Sequence, residues 1–489
     1  MEKRSKIIFK IFALACLVLT FVMLKIVTFD KQKFAYAASK QHLIPTTVKI
    51  YRGIIYDRNF IPFVDCRSYI LKKDDGNGKN VRYNITKRYD KRSLARHLIG
   101  YTDAENNGAS GLEKRFDSYL SGDGSYVFSS IGDVNSKSIK SLPETVKNDG
   151  EMQKGIRLTL DYHVQKAVEN ALDRCGENGA AVVLDAKNFD VLATASRPDF
   201  DQNNVESYLN GGGTELINRA AAEYDAGSIF KIVTAAAALE NGIAGEKSVC
   251  FCGGGENIDG IDFACNKKDG HGEIDFYTGF AKSCNVYFYN LAISTGAEKL
   301  CDMAKKFGIG DIVCGIDGEK RGSRAVGTTN CDLANSAIGQ GKIMITPIQA
   351  ARMAAIIANG GVVKNVNIVQ GKAFDNAGDG GEFYYESEKR VISRETAEKL
   401  KDMMYLAVSE GTGKSAYDAK MKICGKTGSA QTGWEKDGTL MVHGWFVGFF
   451  PYDNPKYAMA VFLENGQSGA EAAKVFLDAA KEINEINGK

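Results

Sequence analysis

From Gly155 onward, apolar runs of strand length stand at both ends of a long helical stretch, and that order constrains the fold more than any other feature. Ile156-Arg157-Leu158-Thr159-Leu160 reads as a strand, and Asp161 is placed to N-cap a helix with Val164, Ala167, Val168 and Leu172 on one face. Apolar runs at 180–184 and 191–195 flank the turn-like Asp185-Ala186-Lys187-Asn188, the pattern of a hairpin. Helical periodicity then fills 229–241, 276–293 and 346–358. Strand patterns return at 421–429, 444–450 and 457–463, before a closing helix over 470–483. A sheet drawn from the two ends of a domain, with a helical block inserted between them, is an α+β arrangement.

The N-terminus adds a second constraint. Lys3, Arg4 and Lys6 precede an apolar stretch at 7–29, interrupted by Lys10 and Lys25. Only 11–24 is free of charge, a length that fits either a cleaved export signal or an anchor. The small-residue segment at 35–39 lies behind Lys25, Asp30, Lys31 and Lys33, far from the apolar centre for a cleavage site. Snorkelling of Lys10 and Lys25 extends the usable span to about 20 residues. The reading therefore favours an uncleaved transmembrane signal-anchor at 7–29, with 1–6 in the cytoplasm and the rest outside. Between them, 30–150 is mixed, with a β-type run at 47–55 and a helical stretch at 90–98, and reads as a small irregular domain before a larger one at 151–489. The Gly-rich, acidic segment 375–388 reads as a solvated loop.

Composition excludes more than it assigns. With 62 basic against 60 acidic residues and no long basic run, nothing marks a nucleic-acid track. Gly413-Lys414-Ser415 and Gly425-Lys426-Thr427 echo the end of a phosphate-binding loop, but Val408 and Lys420 replace the required earlier glycine, so no nucleotide site is expected. Of eleven cysteines, Cys252 and Cys265 make the most plausible bridge, with Cys250 a competing partner and connectivity left open. The chain has no CxxC pair and no suitably spaced pair among its five histidines, so neither a metal site nor a cofactor is expected. His271 beside glycine reads as a loop residue, Cys284 and Cys424 as packing thiols, and Trp445 and Phe446 as core.

Chemistry concentrates in three short motifs. In Ala226-Gly227-Ser228-Ile229-Phe230-Lys231 a serine opens an Ala-rich helix and a lysine follows on the same face. Alone, this reads as an N-cap serine with a surface lysine. Ser283-Cys284-Asn285 and Lys426-Thr427-Gly428-Ser429 follow, in the order and at roughly the separations of penicillin-recognising serine enzymes. Together the three are coherent. Lys231, if burial and neighbouring charge lower its pKa, can take the Ser228 proton. Ser283 can relay a proton to a leaving amine, and Asn285 can hold a peptide carbonyl. Lys426 supplies positive charge, Gly428 permits close approach, and Thr427 and Ser429 can bind a terminal carboxylate. The backbone N–H groups of Ser228 and Ser429 would form an oxyanion hole.

With these motifs the sequence resembles a class B, monofunctional penicillin-binding protein. Leu158-Thr159-Leu160-Asp161, His271-Gly272 and Gly444-Trp445-Phe446-Val447-Gly448 extend the likeness through the larger domain. Arg52-Gly53-Ile54-Ile55-Tyr56-Asp57-Arg58-Asn59 and Gly108-Ala109-Ser110-Gly111-Leu112-Glu113 resemble the family's pedestal motifs, which separate it from ordinary β-lactamases. Ala226 where many relatives have proline, and Phe60 where glycine is frequent, are departures that remove no reacting group. The resemblance implies a penicillin-binding/serine β-lactamase-like transpeptidase domain, preceded by a pedestal in which Arg52, Asp57 and Arg58 make ion pairs. It also implies peptidoglycan DD-transpeptidation of stem peptides through an acyl-enzyme on Ser228, sensitivity to β-lactam antibiotics, and a membrane glycan polymerase as partner, since the length leaves no room for a glycosyltransferase domain. A hydrolase (β-lactamase or carboxypeptidase) and a penicillin-sensing scaffold are the competing readings.

Overall fold

The computed structural model describes residues 2–31, 43–64, 69–74, 80–85, 88–90, 93–131, 145–148, 154–374, 379–382, 387–436, 438–466 and 468–487. The chain forms two compact units. The first comprises Met1–Arg52, Cys66–Lys87 and Gly122–Gln153. It contains helix α1 (Glu2–Thr28), whose segment Arg4–Thr28 includes an 18-residue window of mean hydropathy 2.7 and is long and apolar enough to cross a membrane. It also contains an antiparallel hairpin of Tyr69–Asp74 with Asn80–Ile85.

The second unit comprises Gly53–Asp65, Arg88–Ser121 and Lys154–Lys489. The single boundary expected at 150 is therefore corrected, because parts of the proposed pedestal segment pack with the larger domain. Ile55–Tyr56 runs parallel to Lys154–Leu158 within a five-stranded sheet. That sheet also takes in Asp379–Glu382, part of the segment read as a loop. Asp57 is fully buried, and the backbone N–H groups of Asn59, Ile61 and Tyr162 donate to its carboxylate. Its role is thus to tie this turn to the start of α2 (Tyr162–Cys175), whose N-cap is Asp161 as expected.

The main sheet has five antiparallel strands: β1 (Gly179–Asp185), β2 (Val191–Arg197), β3 (Cys424–Lys436), β4 (Thr439–Phe450) and β5 (Tyr457–Leu463), in the order β2-β1-β5-β4-β3. Both faces are covered, which is why its inner strands read as continuous apolar runs rather than alternating ones. Ala180, Val182 and Leu184 face the core of the helical block. Ala181 and Val183 face a second core, shared with Val164, Val168 and Leu172 of α2 and with Ala473, Phe476 and Ala480 of the closing helix, Gly469–Asn487.

Within the block lie α3 (Lys231–Glu240), α4 (Phe276–Ala281), α5 (Asn285–Thr295) and α6 (Pro347–Ala358); the closing helix is α7. Periodicity predicts one helix over 276–293, and the structure breaks it at Lys282-Ser283-Cys284. Cys284 N–H returns to Gly279 C=O at 2.9 Å, and Ser283 takes the left-handed conformation at φ 54°. Apolar spacing continues through such a break, so the pattern hides it.

Candidate active site

Ser228 sits in a 3-10 turn, Gly227–Phe230, that leads into α3 and packs against β3. Gly227 makes the turn possible. It has φ 55° and donates to Gly339 C=O at 2.9 Å, and a Cβ on Gly339 would lie 2.1 Å from the Gly227 oxygen. On the strand side, a Cβ on Gly428 would crowd Ile229 Cγ2 at 3.0 Å. The serine turn and β3 thus approach as closely as backbone allows.

A cavity of about 660 Å³ gathers Ser228, Ser283, Asn285, Thr427 and Ser429 on its wall. Lys231 and Lys426 lie beneath it, fully buried. Lys231 Nζ reaches Ser283 C=O at 2.7 Å, Asn285 Oδ1 at 2.7 Å and Ser283 Oγ at 3.1 Å. Lys426 Nζ reaches the same hydroxyl at 2.9 Å and Thr427 C=O at 3.1 Å. All the residues singled out from the sequence are therefore brought together, with Ser283 joining the two lysines.

Burial pushes the Lys231 pKa down to about 7, against the opposing influence of Cys284 and Cys265. Burial, and then the charge of Lys231, hold Lys426 well below the ordinary lysine value. With its pKa near 7, the Lys231 amine is partly neutral near neutrality. A neutral Lys231 amine has two N–H bonds, which the Ser283 carbonyl and Asn285 oxygen can accept, leaving its lone pair for a hydroxyl. Ser283 Oγ has one proton and can give it to whichever lysine is neutral.

Sequence reasoning missed several wall residues. Thr412 hydrogen-bonds Thr427 hydroxyl to hydroxyl at 2.6 Å, and Gly469 N–H donates to Ser429 Oγ at 3.2 Å. Gln340 and Tyr289 also line the cavity. None of them stands in a motif that the sequence marks, since the phosphate-loop echo begins at Gly413, one residue after Thr412.

The cysteines also differ from expectation. Cys252 and Cys265 are free thiols rather than a bridge. They meet Cys284 and His271, so the packing thiol and the loop histidine are both part of one donor cluster whose ligand atoms all lie within 4.8 Å of one another. The expectation of no metal-binding group rested on spacing along the chain, and the grouping arises from four separate segments.

Comparison with known proteins agrees with this geometry. The family described as "Penicillin binding protein transpeptidase domain" matches residues 179–483. Stage V sporulation protein D of Bacillus subtilis is 31% identical over 419 residues, covering 81% of this chain; the chain spans 62% of that relative's length. The D,D-transpeptidase domain of a peptidoglycan glycosyltransferase from Eggerthella lenta superposes with a TM-score of 0.72 at 26% identity, over 90% of this chain and 100% of that one. Penicillin binding protein 3 of Mycobacterium tuberculosis, complexed with aztreonam, gives 0.70 at 27% identity, over 91% and 97% of the two chains. The chain belongs to the penicillin-binding-protein transpeptidase family, in the class B group that its motifs resemble.

Proposed function

We propose that the protein is a peptidoglycan DD-transpeptidase that cross-links stem peptides through an acyl-enzyme on Ser228 and is a target of β-lactams. The observation that carries this reading is the Ser283 hydroxyl held between two buried lysines on the wall of the Ser228 cavity. Neutral Lys231 takes the Ser228 proton as Oγ attacks the carbonyl of a D-Ala-D-Ala terminus. The Ser228 and Ser429 backbone N–H groups hold the developing oxyanion, and Asn285 holds the peptide. The terminal carboxylate lies against Thr427 and Ser429, with Thr412 orienting Thr427. The proton returns through Ser283 to the leaving D-alanine, and an amine from a second stem peptide then takes the acyl group.

The hydrolase reading needs a base to activate water. No carboxylate or imidazole lines the cavity among the described residues, which favours transfer to an amine over transfer to water. In this proposal α1 is an uncleaved anchor with a cytoplasmic N-terminus, the first unit serves as a pedestal, and a membrane glycan polymerase supplies the strands. Intact-mass measurement after benzylpenicillin treatment tests the chemistry. A stable adduct of one drug per chain, absent in Ser228→Ala, is expected; rapid turnover would favour the hydrolase, and no adduct on folded protein would remove Ser228 as nucleophile.

A further inference from the structure

Beside the Ser228 cavity, and unused by the proposed reaction, four soft donors converge. Cys252 ends the strand Val249–Cys252, which pairs with Gly272–Asp275 so that Cys252 stands opposite Gly272 and next to His271. Cys265 follows the hairpin Gly255–Ile258 with Ile261–Ala264. Cys284 is the N-cap of α5. The three cysteines are buried, at 1%, 7% and 0% exposure, and His271 is half-buried.

Three of the six distances among the four donor atoms are those of a coordination polyhedron, and all six lie within 4.8 Å. His271 Nδ1 lies 3.6 Å from Cys252 Sγ and 3.6 Å from Cys265 Sγ, and Cys265 Sγ lies 3.8 Å from Cys284 Sγ. A tetrahedral zinc ion with Zn–S near 2.3 Å and Zn–N near 2.0–2.1 Å requires edges of about 3.8 Å between sulfurs and about 3.5 Å between sulfur and nitrogen. The observed edges match both. They are also too long for a disulfide, whose sulfurs are bonded at about 2.05 Å.

The surrounding backbone is built for this approach. Gly270 and Gly254 have φ of 72° and 100°. A Cβ on Gly270 would lie 2.1 Å from Cys252 C=O, and one on Gly254 would lie 2.0 Å from Lys268 C=O. The Gly-rich stretch thus lets 265–272 fold directly onto 252–254.

We propose that Cys252, Cys265, His271 and Cys284 form a Cys3His site for a zinc ion, which clamps the turn carrying Ser283 and Asn285. Three thiols release their protons on binding, and neutral His271 supplies nitrogen. Cys284 lies between the two catalytic residues, and Ser283 holds an uncommon positive φ, so an ion gripping Cys284 fixes the turn where the lysine contacts are made. The site also reaches the cavity wall, since Cys265 lines it and Asn285 Nδ2 donates to Ala264 C=O at 3.3 Å. The clamping step rests on the transpeptidase reading; the metal site does not.

The test is elemental analysis of the full chain, solubilised in detergent and purified under reductant. One zinc per chain is expected, with its loss in Cys265→Ser and His271→Ala. Should those variants not fold, chelation of the wild-type protein and readdition of ZnCl2 give the same answer. Co(II) reconstitution would show the visible bands of a tetrahedral thiolate site. Removing zinc is expected to lower the melting temperature and to slow benzylpenicillin acylation about tenfold or more, reversibly. A chain that is metal-free and takes up no zinc from ZnCl2, one that carries iron instead, or one that holds a Cys265–Cys284 disulfide overturns the site. One equivalent of zinc whose removal leaves acylation unchanged overturns the clamp alone. Zinc at one equivalent in a chain that benzylpenicillin never acylates leaves the site standing and refutes the transpeptidase reading.

Discussion

Lys231 illustrates how a residue's surroundings decide its chemistry. In water its amine is protonated at neutral pH, whereas full burial brings the pKa to about 7. Burial disfavours the cation, so the neutral base is populated above that value and lost below it. The rate of acylation by benzylpenicillin is therefore expected to fall about tenfold per pH unit on the acid side of neutrality. Stopped-flow or mass-resolved acylation across that range checks this, and a profile that stays flat would remove Lys231 as the base. The identity of Ser228, Lys231, Ser283, Asn285 and Lys426 was legible because each lies in a short motif whose parts match in order. Thr412 was not, because a threonine in a turn announces nothing until Thr427 is seen opposite it.

At the scale of elements, the serine turn is held by contact between main chains. Gly339 lies between Ile338 and Gln340, both on the cavity wall, and its φ of 69° and close contact with Gly227 leave no room for a side chain. Gly339→Ala is expected to shift the Ser228 turn and reduce acylation by roughly 10²-fold, the cost of a small misplacement of a reacting group. Far-UV circular dichroism should remain that of the parent. An unchanged acylation rate would mean that the turn tolerates the displacement. The break between α4 and α5 carries a related lesson. Hydrophobic periodicity reports which face is buried, and it runs on through a turn of three residues, so the interruption at Ser283 needed the tertiary contacts to be seen.

For the whole molecule, the second unit recruits segments from well before Lys154. Asp57 is the link most open to test, because replacing its buried carboxylate strands three backbone donors in the half-buried turn around it. Asp57→Ala should cost roughly 3 kcal/mol of stability, measured by denaturant unfolding, and a loss below about 0.5 kcal/mol would show that water replaces the contacts. Likewise, a chain beginning at Lys154 leaves Lys154–Leu158 without its partner Ile55–Tyr56 and is expected to unfold less cooperatively than one beginning at Gly53. By itself the sequence determined the α+β class, the helical insertion and the three motifs of the candidate site, because these depend on local periodicity and on short, ordered residue patterns. The tertiary structure alone decided the domain boundary, the broken helix and the meeting of Cys252, Cys265, His271 and Cys284. The boundary depends on contacts between residues distant in the chain, and the helix break and the donor cluster depend on turns within 249–285 that leave no periodic spacing to read.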